Sequence, residues 1–341
     1  MLTDDQIKEI RSYIENSKNP LFLFDDDPDG LTAYLLLKKH YKKGVGVCVK
    51  ASPNSGIVYS AAVSRHKPDL AVILDKPILD QEIIDEMNVP IVWIDHHQPV
   101  KREGVRYYNP MNGEKPDNRC TSYWAYRVVE DNEWVAVVGI IGDWQMPEKS
   151  ILKKFEYADK LGDGTTPPEL MFNSEYGKMV KIFSFAMKGT TESTNECIEV
   201  LEKINDPMEI LEQTTPNGRL IYEKFKNNNK DYELLLGDAL SQKIDGNVFV
   251  YTYPGIDRSF TGMLANELLH KIPHEVIILG REKDGDVRMS LRSRDRPILP
   301  VLKKILEVIN GHGGGHAQAC GASVKMEDFP KFVEMISKEF S

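Results

Sequence analysis

The sequence predicts two α/β domains joined by a helical connector and facing each other across a cleft. Three observations carry this. In the first third, short fully apolar runs alternate with helical periods, the pattern of a mainly parallel sheet covered on both faces. From Lys149 to Lys230 the alternation gives way to helical periods separated by polar turns, with too many apolar residues for disorder. In the last third the alternation resumes. The expected boundaries are residues 1–185 for the first domain, 186–235 for the connector and 236–341 for the second domain.

Taken in order, Thr3 and Gln6 form a capping box ahead of the helical period of Ile7, Ile10, Tyr13 and Ile14. A strand is expected at Leu21–Phe24, then a polar run Asp25–Gly30, then a helix from Leu31 to Lys43 stopped by Gly44. Further strands are expected at Val45–Val49, Leu70–Leu74 and Ile91–Ile94, and helices at Thr121–Glu130 and Trp134–Ile141. In the second domain, strands are expected at Val248–Tyr253, Val276–Leu279 and Val287–Leu291, with helices at Phe260–Lys271, Leu299–Ile309 and Phe329–Phe340. Gly311–His316 reads as a glycine-rich loop between the last two helices.

Composition narrows the function classes. Hydrophobic residues make up 41 % of the 341 residues and charged residues 28 %, ordinary globular values. No apolar run approaches a membrane span, and the acidic, amphipathic start MLTDDQIKEI is unlike a signal or transit peptide, so a cytoplasmic protein without a membrane partner is expected. Cys48, Cys120, Cys197 and Cys320 form no C-x-x-C pair and suit buried thiols rather than a disulfide framework or zinc cage. A net charge of −9 argues against an indiscriminate nucleic-acid coat but not against an enzyme that meets phosphate through bound cations.

The chemistry concentrates in acidic residues. Asp25, Asp27 and Asp29 share one parity in extended chain, directly after a buried strand. Three carboxylates converging there repel one another unless a cation lies between them. Asp75, Asp95-His96-His97 and Asp143 each close a further apolar run. One such Asp is an ordinary strand-to-loop residue; four runs ending alike, one with tandem histidines, point to a shared site. Asp and His without Cys suit Mn²⁺ or Mg²⁺ better than structural zinc. Two such ions sharing one carboxylate lower the pKa of a water between them and hold phosphate oxygens.

In the second domain Arg292, Arg294 and Arg296 share one parity, and guanidinium groups bind phosphate bidentately. The plain alternative is a solvated edge strand. Gly311–His316 could let a backbone approach a phosphate, or be a loop with two incidental histidines. Tyr107, Tyr108, Tyr123 and Trp124 read as core rather than base-stacking residues. Arg119–Ser122 opens a helix and could hold an anion or simply cap it.

Asp25-x-Asp27-x-Asp29-Gly30, Asp75, Asp95-His96-His97 and Gly142-Asp143 resemble, in order, the four motifs of the DHH phosphoesterase superfamily. Ser290-Leu-Arg292-Ser293 and Gly314-Gly315-His316-Ala-Gln-Ala-Cys-Gly321 resemble its DHHA1 substrate-binding domain. The form of the first motif resembles the RecJ-like branch, particularly short archaeal members of the Hef-associated nuclease type. The resemblance implies an N-terminal DHH catalytic domain, a C-terminal α/β DHHA1 domain, and two divalent cations, Mn²⁺ or Mg²⁺. It implies metal ligation by Asp27, Asp29, Asp75, His96 and Asp143, with Asp75 bridging. Asp25 stands where many members have His; it can ligate, but it is shorter and adds negative charge. His97 is expected near the scissile phosphate, with Asp95 orienting a histidine. Arg292, Ser293, Gly314, Gly315 and His316 are expected to bind substrate.

The expected activity is exonucleolytic hydrolysis of single-stranded DNA or RNA, with 3′→5′ polarity, in DNA repair, replication or RNA processing. A Hef-like helicase–nuclease or a replication factor is the expected protein partner. Two rivals stand beside it: a phosphodiesterase for short oligonucleotides or cyclic dinucleotides, and an inactive Cdc45-like replisome scaffold.

Overall fold

The computed structural model describes residues 1–50, 55–242, 246–255 and 259–341. The chain divides into two compact units, Met1–Phe225 and Lys226–Ser341. Helices that the sequence places in a connector pack with the first unit up to Phe225, and the division falls inside one long helix.

The first unit opens with α1 (Asp4–Asn16), whose N-cap Thr3 and Gln6 form the expected reciprocal cap. Then follow β1 (Pro20–Asp25), α2 (Pro28–Tyr41), β2 (Val45–Val49), α3 (Ser55–His66), β3 (Leu70–Leu74), α4 (Gln81–Met87), β4 (Ile91–Ile94) and β5 (Arg106–Tyr108). The five strands are all parallel, in the order β2-β1-β3-β4-β5. Odd-numbered β1 and β3 residues (Leu21, Leu23, Ala71, Ile73) pack with Tyr59 of α3 and Ile83 and Ile84 of α4. Phe24, of the other parity, stacks on Tyr34 of α2 at 4.7 Å, which sets α2 on the opposite face. Burial on both faces is why β1, β3 and β4 read as unbroken apolar runs. The three-residue β5 is too short to give a sequence signal.

Helices complete the unit: α5 (Thr121–Val129), α6 (Glu133–Gly142), α7 (Lys149–Leu152), α8 (Ala158–Leu161), α9 (Pro167–Asn173), α10 (Glu175–Ala186), α11 (Thr191–Leu201) and α12 (Pro207–Leu211). Then α13 (Pro216–Ser241) carries the chain into the second unit. Helix α2 packs against both α5 and α6 and is buried without a break from Asp29 to Leu37. Two glycines permit close approach around α2, one to the end of β1 and one between α6 and α2. A Cβ on Gly30 would lie 2.8 Å from the Asp25 backbone, and one on Gly139 would lie 2.0 Å from Thr32 Oγ1.

In the second unit, β6 (Val248–Pro254), α14 (Thr261–Lys271), β7 (Val276–Lys283), β8 (Asp286–Ser293), α15 (Leu299–Leu306), β9 (Gly311–His316), β10 (Ala319–Lys325) and α16 (Phe329–Phe340) form a mixed sheet of order β6-β7-β8-β10-β9. Only the β6–β7 pairing is parallel. The expected glycine loop is therefore an edge strand, hydrogen-bonded to β10. Glycine weakens strand propensity, so the sequence alone hides it; here the pairing needs the missing side chains, because a Cβ on Gly313 would lie 2.7 Å from Gly321 O. Met289, Leu291, Cys320 and Ala322 join Leu302, Ile305, Phe332 and Ile336 in one core, and α14 packs against β7 and β8.

Candidate metal centre and phosphate-binding face

The strand order of the first sheet reverses between β1 and β3, and open α/β folds bind ligands at the carboxyl ends of strands beside such a reversal. Asp25 ends β1, Asp75 follows β3 and Asp95-His96-His97 follows β4, so the switch point is lined with carboxylates. The three motif-one aspartates do not share a face by strand parity, as the sequence suggested. Asp25 is the last residue of β1, Asp27 is the N-cap of α2 and accepts Gly30 N–H at 2.9 Å, and Asp29 lies in the first helical turn. Pro28 at the first helical position starts α2 three residues before the expected Leu31.

Asp29 is 2 % exposed, and its two oxygens accept the backbone N–H groups of Thr121 and Ser122 at 2.8 and 2.7 Å. The start of α5 thus holds an anion, and the anion is the protein's own. Asp75 is 1 % exposed, adopts a left-handed backbone with φ +58°, and accepts Thr121 Oγ1–H at 3.0 Å. A non-glycine residue in this region carries strain of the kind that collects at functional sites. Asp143, at the end of α6, accepts Gln145 Nε2–H at 2.8 Å.

His96 Nε2 lies 3.5 Å from Asp75 Oδ1, 3.8 Å from Asp143 Oδ2 and 3.9 Å from Asp29 Oδ2. Its Nδ1 lies 3.3 Å from Asn118 O. A carbonyl only accepts, so Nδ1 carries the hydrogen and Nε2 faces the carboxylates. A lone pair aimed at three carboxylates is repulsive unless a proton or a cation stands between them. Burial, then Asp29 and Asp27, push the carboxyls of Asp75 and Asp143 upward, so the metal-free pocket tends to hold protons. Asp27 is exposed as a residue, yet its carboxyl is pushed up to about 7 by burial of that group and by the charges of Asp25 and Asp29. Oxygen and imidazole donors crowded in this way fit a hard divalent cation.

His97 Nδ1–H donates to Asp95 Oδ1 at 2.7 Å. Asp95 is fully buried and also accepts from Tyr107 Oη at 3.1 Å and Asn109 Nδ2 at 3.2 Å. Burial pulls the His97 pKa down, but the hydrogen bond and charge of Asp95 outweigh it, and the net shift is upward. The histidine that Asp95 orients is therefore His97, not His96.

Asp25 is held differently from the other carboxylates. Its Oδ1 accepts Lys76 Nζ–H at 2.7 Å and its neighbour Asp26 N–H at 3.0 Å. Sequence reasoning missed Lys76, Gln145 and the Asn118 carbonyl. Gln145 Nε2 bonds Asn118 O as well as Asp143, and its Oε1 accepts Cys120 N–H, so one side chain ties the fourth motif to the loop that orients His96. A glutamine two residues beyond an aspartate carries no signal of its own.

In the second unit, Arg292 and His316 both pair with Ala319, which sets them in one row across β8, β10 and β9. Ser290, Gly321 and Gly314 form the neighbouring row on the same face. Burial lowers the Arg292 pKa to about 10, and its guanidinium bonds Asn266 Oδ1 and the carbonyls of Leu291 and Cys320. Ser293, also expected to bind substrate, lies on the opposite face of β8 from Arg292, 3 % exposed, with its Oγ buried and without a hydrogen-bond partner. The hydroxyl that shares the Arg292 face is Ser290, which bonds Thr261 Oγ1 at 3.0 Å. Gly315 sits one residue off the row with φ +138°. Arg294 caps the end of α14 through the carbonyls of Leu269 and Ile272, and Arg296 lies over Phe340, so neither belongs to this face. Tyr123 and Trp124 are core residues, 3 % and 1 % exposed.

Residues 21–154 match the DHH family N-terminal domain and residues 245–341 match the DHHA1 domain. Together these matches span more than half of the chain, which belongs to the DHH/DHHA1 superfamily and has a RecJ-like two-domain α/β fold. RecJ from Thermus thermophilus in complex with Mn²⁺ superposes with a TM-score of 0.71 at 17 % identity, covering 99 % of this chain and 55 % of that one. The chain thus spans about half the length of that relative. A pGpG-specific phosphodiesterase from Vibrio superposes with a TM-score of 0.54 at 13 % identity, covering 95 % and 99 % of the two chains. CDC45 from Entamoeba histolytica gives 0.52 at 10 % identity, covering 98 % and 99 %. Comparison with curated proteins returned no match. Among the described residues no helix is long and apolar enough to cross a membrane.

Proposed function

We propose that this chain is a metal-dependent exonuclease that hydrolyses phosphodiester bonds of single-stranded DNA or RNA from the 3′ end. The observation that carries the reading is the convergence on His96 Nε2 of three carboxylates from separate parts of the chain, all within 4 Å. His96, Asp29, Asp75 and Asp143 would hold one divalent cation, and Asp25, Asp27 and Asp75 a second. When bound, such cations supply Lewis acidity that activates water and neutralises phosphate charge. The protein's own contribution is orientation and proton handling. Asp95 fixes the His97 ring, which in its protonated form can hold a phosphate oxygen or give a proton to the departing one. The row of Arg292 and His316, with Gly314 beside it, would receive a further phosphate. Partnership with a Hef-like helicase–nuclease or a replication factor goes with this reading and is tested by co-purification.

A second reading, a phosphodiesterase for dinucleotides or short oligonucleotides, is favoured by the end-to-end match to the Vibrio enzyme. End-labelled single strands of two to twenty nucleotides, digested with Mn²⁺ or Mg²⁺, separate the two. Processive ladders on the longest strands support the exonuclease, and labelling each end in turn reads the polarity. Cleavage confined to two to four nucleotides supports the second reading. No cleavage at any length with any cation supports a Cdc45-like scaffold.

A further inference from the structure

We propose that Lys76 is a fixed cation that makes the two ion positions unequal, so that the half formed by Asp25 and Asp27 binds its divalent ion far more weakly than the half formed around His96. This deepens the two-cation reading above and rests on it. Lys76 is 6 % exposed and follows Asp75 directly. Its ammonium lies 2.7 Å from Asp25 Oδ1 and donates to Val49 O at 3.1 Å, at the rim of β2. The second donor fixes the ammonium where it stands, at the mouth between β1 and β2. Asp25 Oδ1 also accepts Asp26 N–H, so only Oδ2 remains to meet an ion. Asp27 stands two residues beyond Asp25, as the N-cap of α2, so the Lys76 ion pair is held by the neighbour of that carboxylate. The ion pairs of Asp29 and Asp143 are with His96, and those of Asp75 are with His96 and His97.

The consequence is Coulombic. An ammonium this close to an incoming divalent ion repels it and has already taken up the charge of one of its ligands. Among the described residues, the carboxylates of the His96 half form ion pairs with histidines and with no lysine or arginine. The expected order of filling is the His96 position first, and the Asp25 position only at higher metal concentration.

The test is titration of the whole metal-free protein with Mn²⁺, with free ion followed by electron paramagnetic resonance. Wild type should show two sites differing by about tenfold or more. Lys76→Gln should tighten the weaker site by about tenfold and leave the stronger unchanged, whereas Lys76→Arg, which keeps the charge, should leave the weaker site weak. Asp25→Asn, which strips the pair of its acid and leaves the ammonium, should weaken the weaker site further; this arm stands even if Lys76→Gln does not fold. Retention of the stronger site reports a folded centre in each variant. Equal sites in wild type, or loosening of the weaker site in Lys76→Gln, overturns the proposal and leaves the two-cation reading in place. Absence of Mn²⁺ binding by wild type removes both.

Discussion

The carboxylate of Asp29 caps the start of α5 by accepting the N–H of Ser122 at 2.7 Å, and a second oxygen accepts the N–H of Thr121. Cys120 is the N-cap of α5 and gives no side-chain cap of its own, so an aspartate ninety-odd residues earlier in the chain does that work. Asp29→Ala should therefore cost the metal-free protein about 1–2 kcal/mol, the range of a lost helix cap. Chemical denaturation in the presence of a chelator measures it. An unchanged midpoint would show that the cap contributes nothing to the fold.

Gln145→Leu removes the hydrogen bonds to Asp143 and Asn118 while keeping the bulk of the side chain. Mn²⁺ affinity should fall by about ten- to a hundredfold, the usual effect of losing a group that orients ligands, with the fold retained. Isothermal titration checks this, with far-ultraviolet circular dichroism as the control.

The pH dependence of the metal-free protein follows from Asp75, Asp143 and Asp27, whose carboxyls are all raised in the fold. A group whose folded pKa exceeds its unfolded value stabilises below the unfolded pKa and loses that contribution as pH rises through the folded one. Stability should thus fall from the ordinary aspartate range upward to about 7, the folded value of Asp27. With a chelator, the melting temperature should be higher at pH 5 than at pH 8. Saturating Mn²⁺ should raise it most at pH 8. A metal-free protein more stable at pH 8 contradicts the crowding of these carboxylates.

Asp95→Asn leaves His97 with a neutral partner. The upward pull on the imidazole is lost, so the alkaline limb of the pH–rate curve should move to lower pH, and the rate should fall by about a hundredfold, a typical share for general acid–base catalysis. Metal affinity at His96 should be unchanged. A lower rate with an unmoved pH profile would assign Asp95 a purely structural part.

Much of this was legible in the residues, and the limits are physical. Apolar runs marked β1, β3 and β4 because burial on both faces leaves an unbroken hydrophobic signature, and the half-exposed edge strand β2 showed through its valines alone. The edge strands β5 and β9 escaped, one for its length and the other for its glycines. The aspartates that end β1, β3 and β4 and the one after α6 announced a shared centre, but their way of meeting did not follow strand parity. A helix N-cap and a helical first turn bring Asp27 and Asp29 in. Lys76 and Gln145 could not be found beforehand, because their meaning lies in partners distant in sequence: Asp25 for Lys76, and Asn118 and Cys120 for Gln145. Arg292 and Ser293 illustrate the cost of reading a strand motif as one unit, since neighbours on a strand face opposite ways.

The most direct test compares wild type with Asp75→Asn in hydrolysis of end-labelled single strands at saturating Mn²⁺. Asparagine tolerates the left-handed backbone at this position, so the fold should survive and be visible by circular dichroism. If Asp75 gathers the cations, wild type releases nucleotides and the folded variant releases none above background. Equal hydrolysis by the two proteins would mean that the carboxylates around His96 do not carry the reaction.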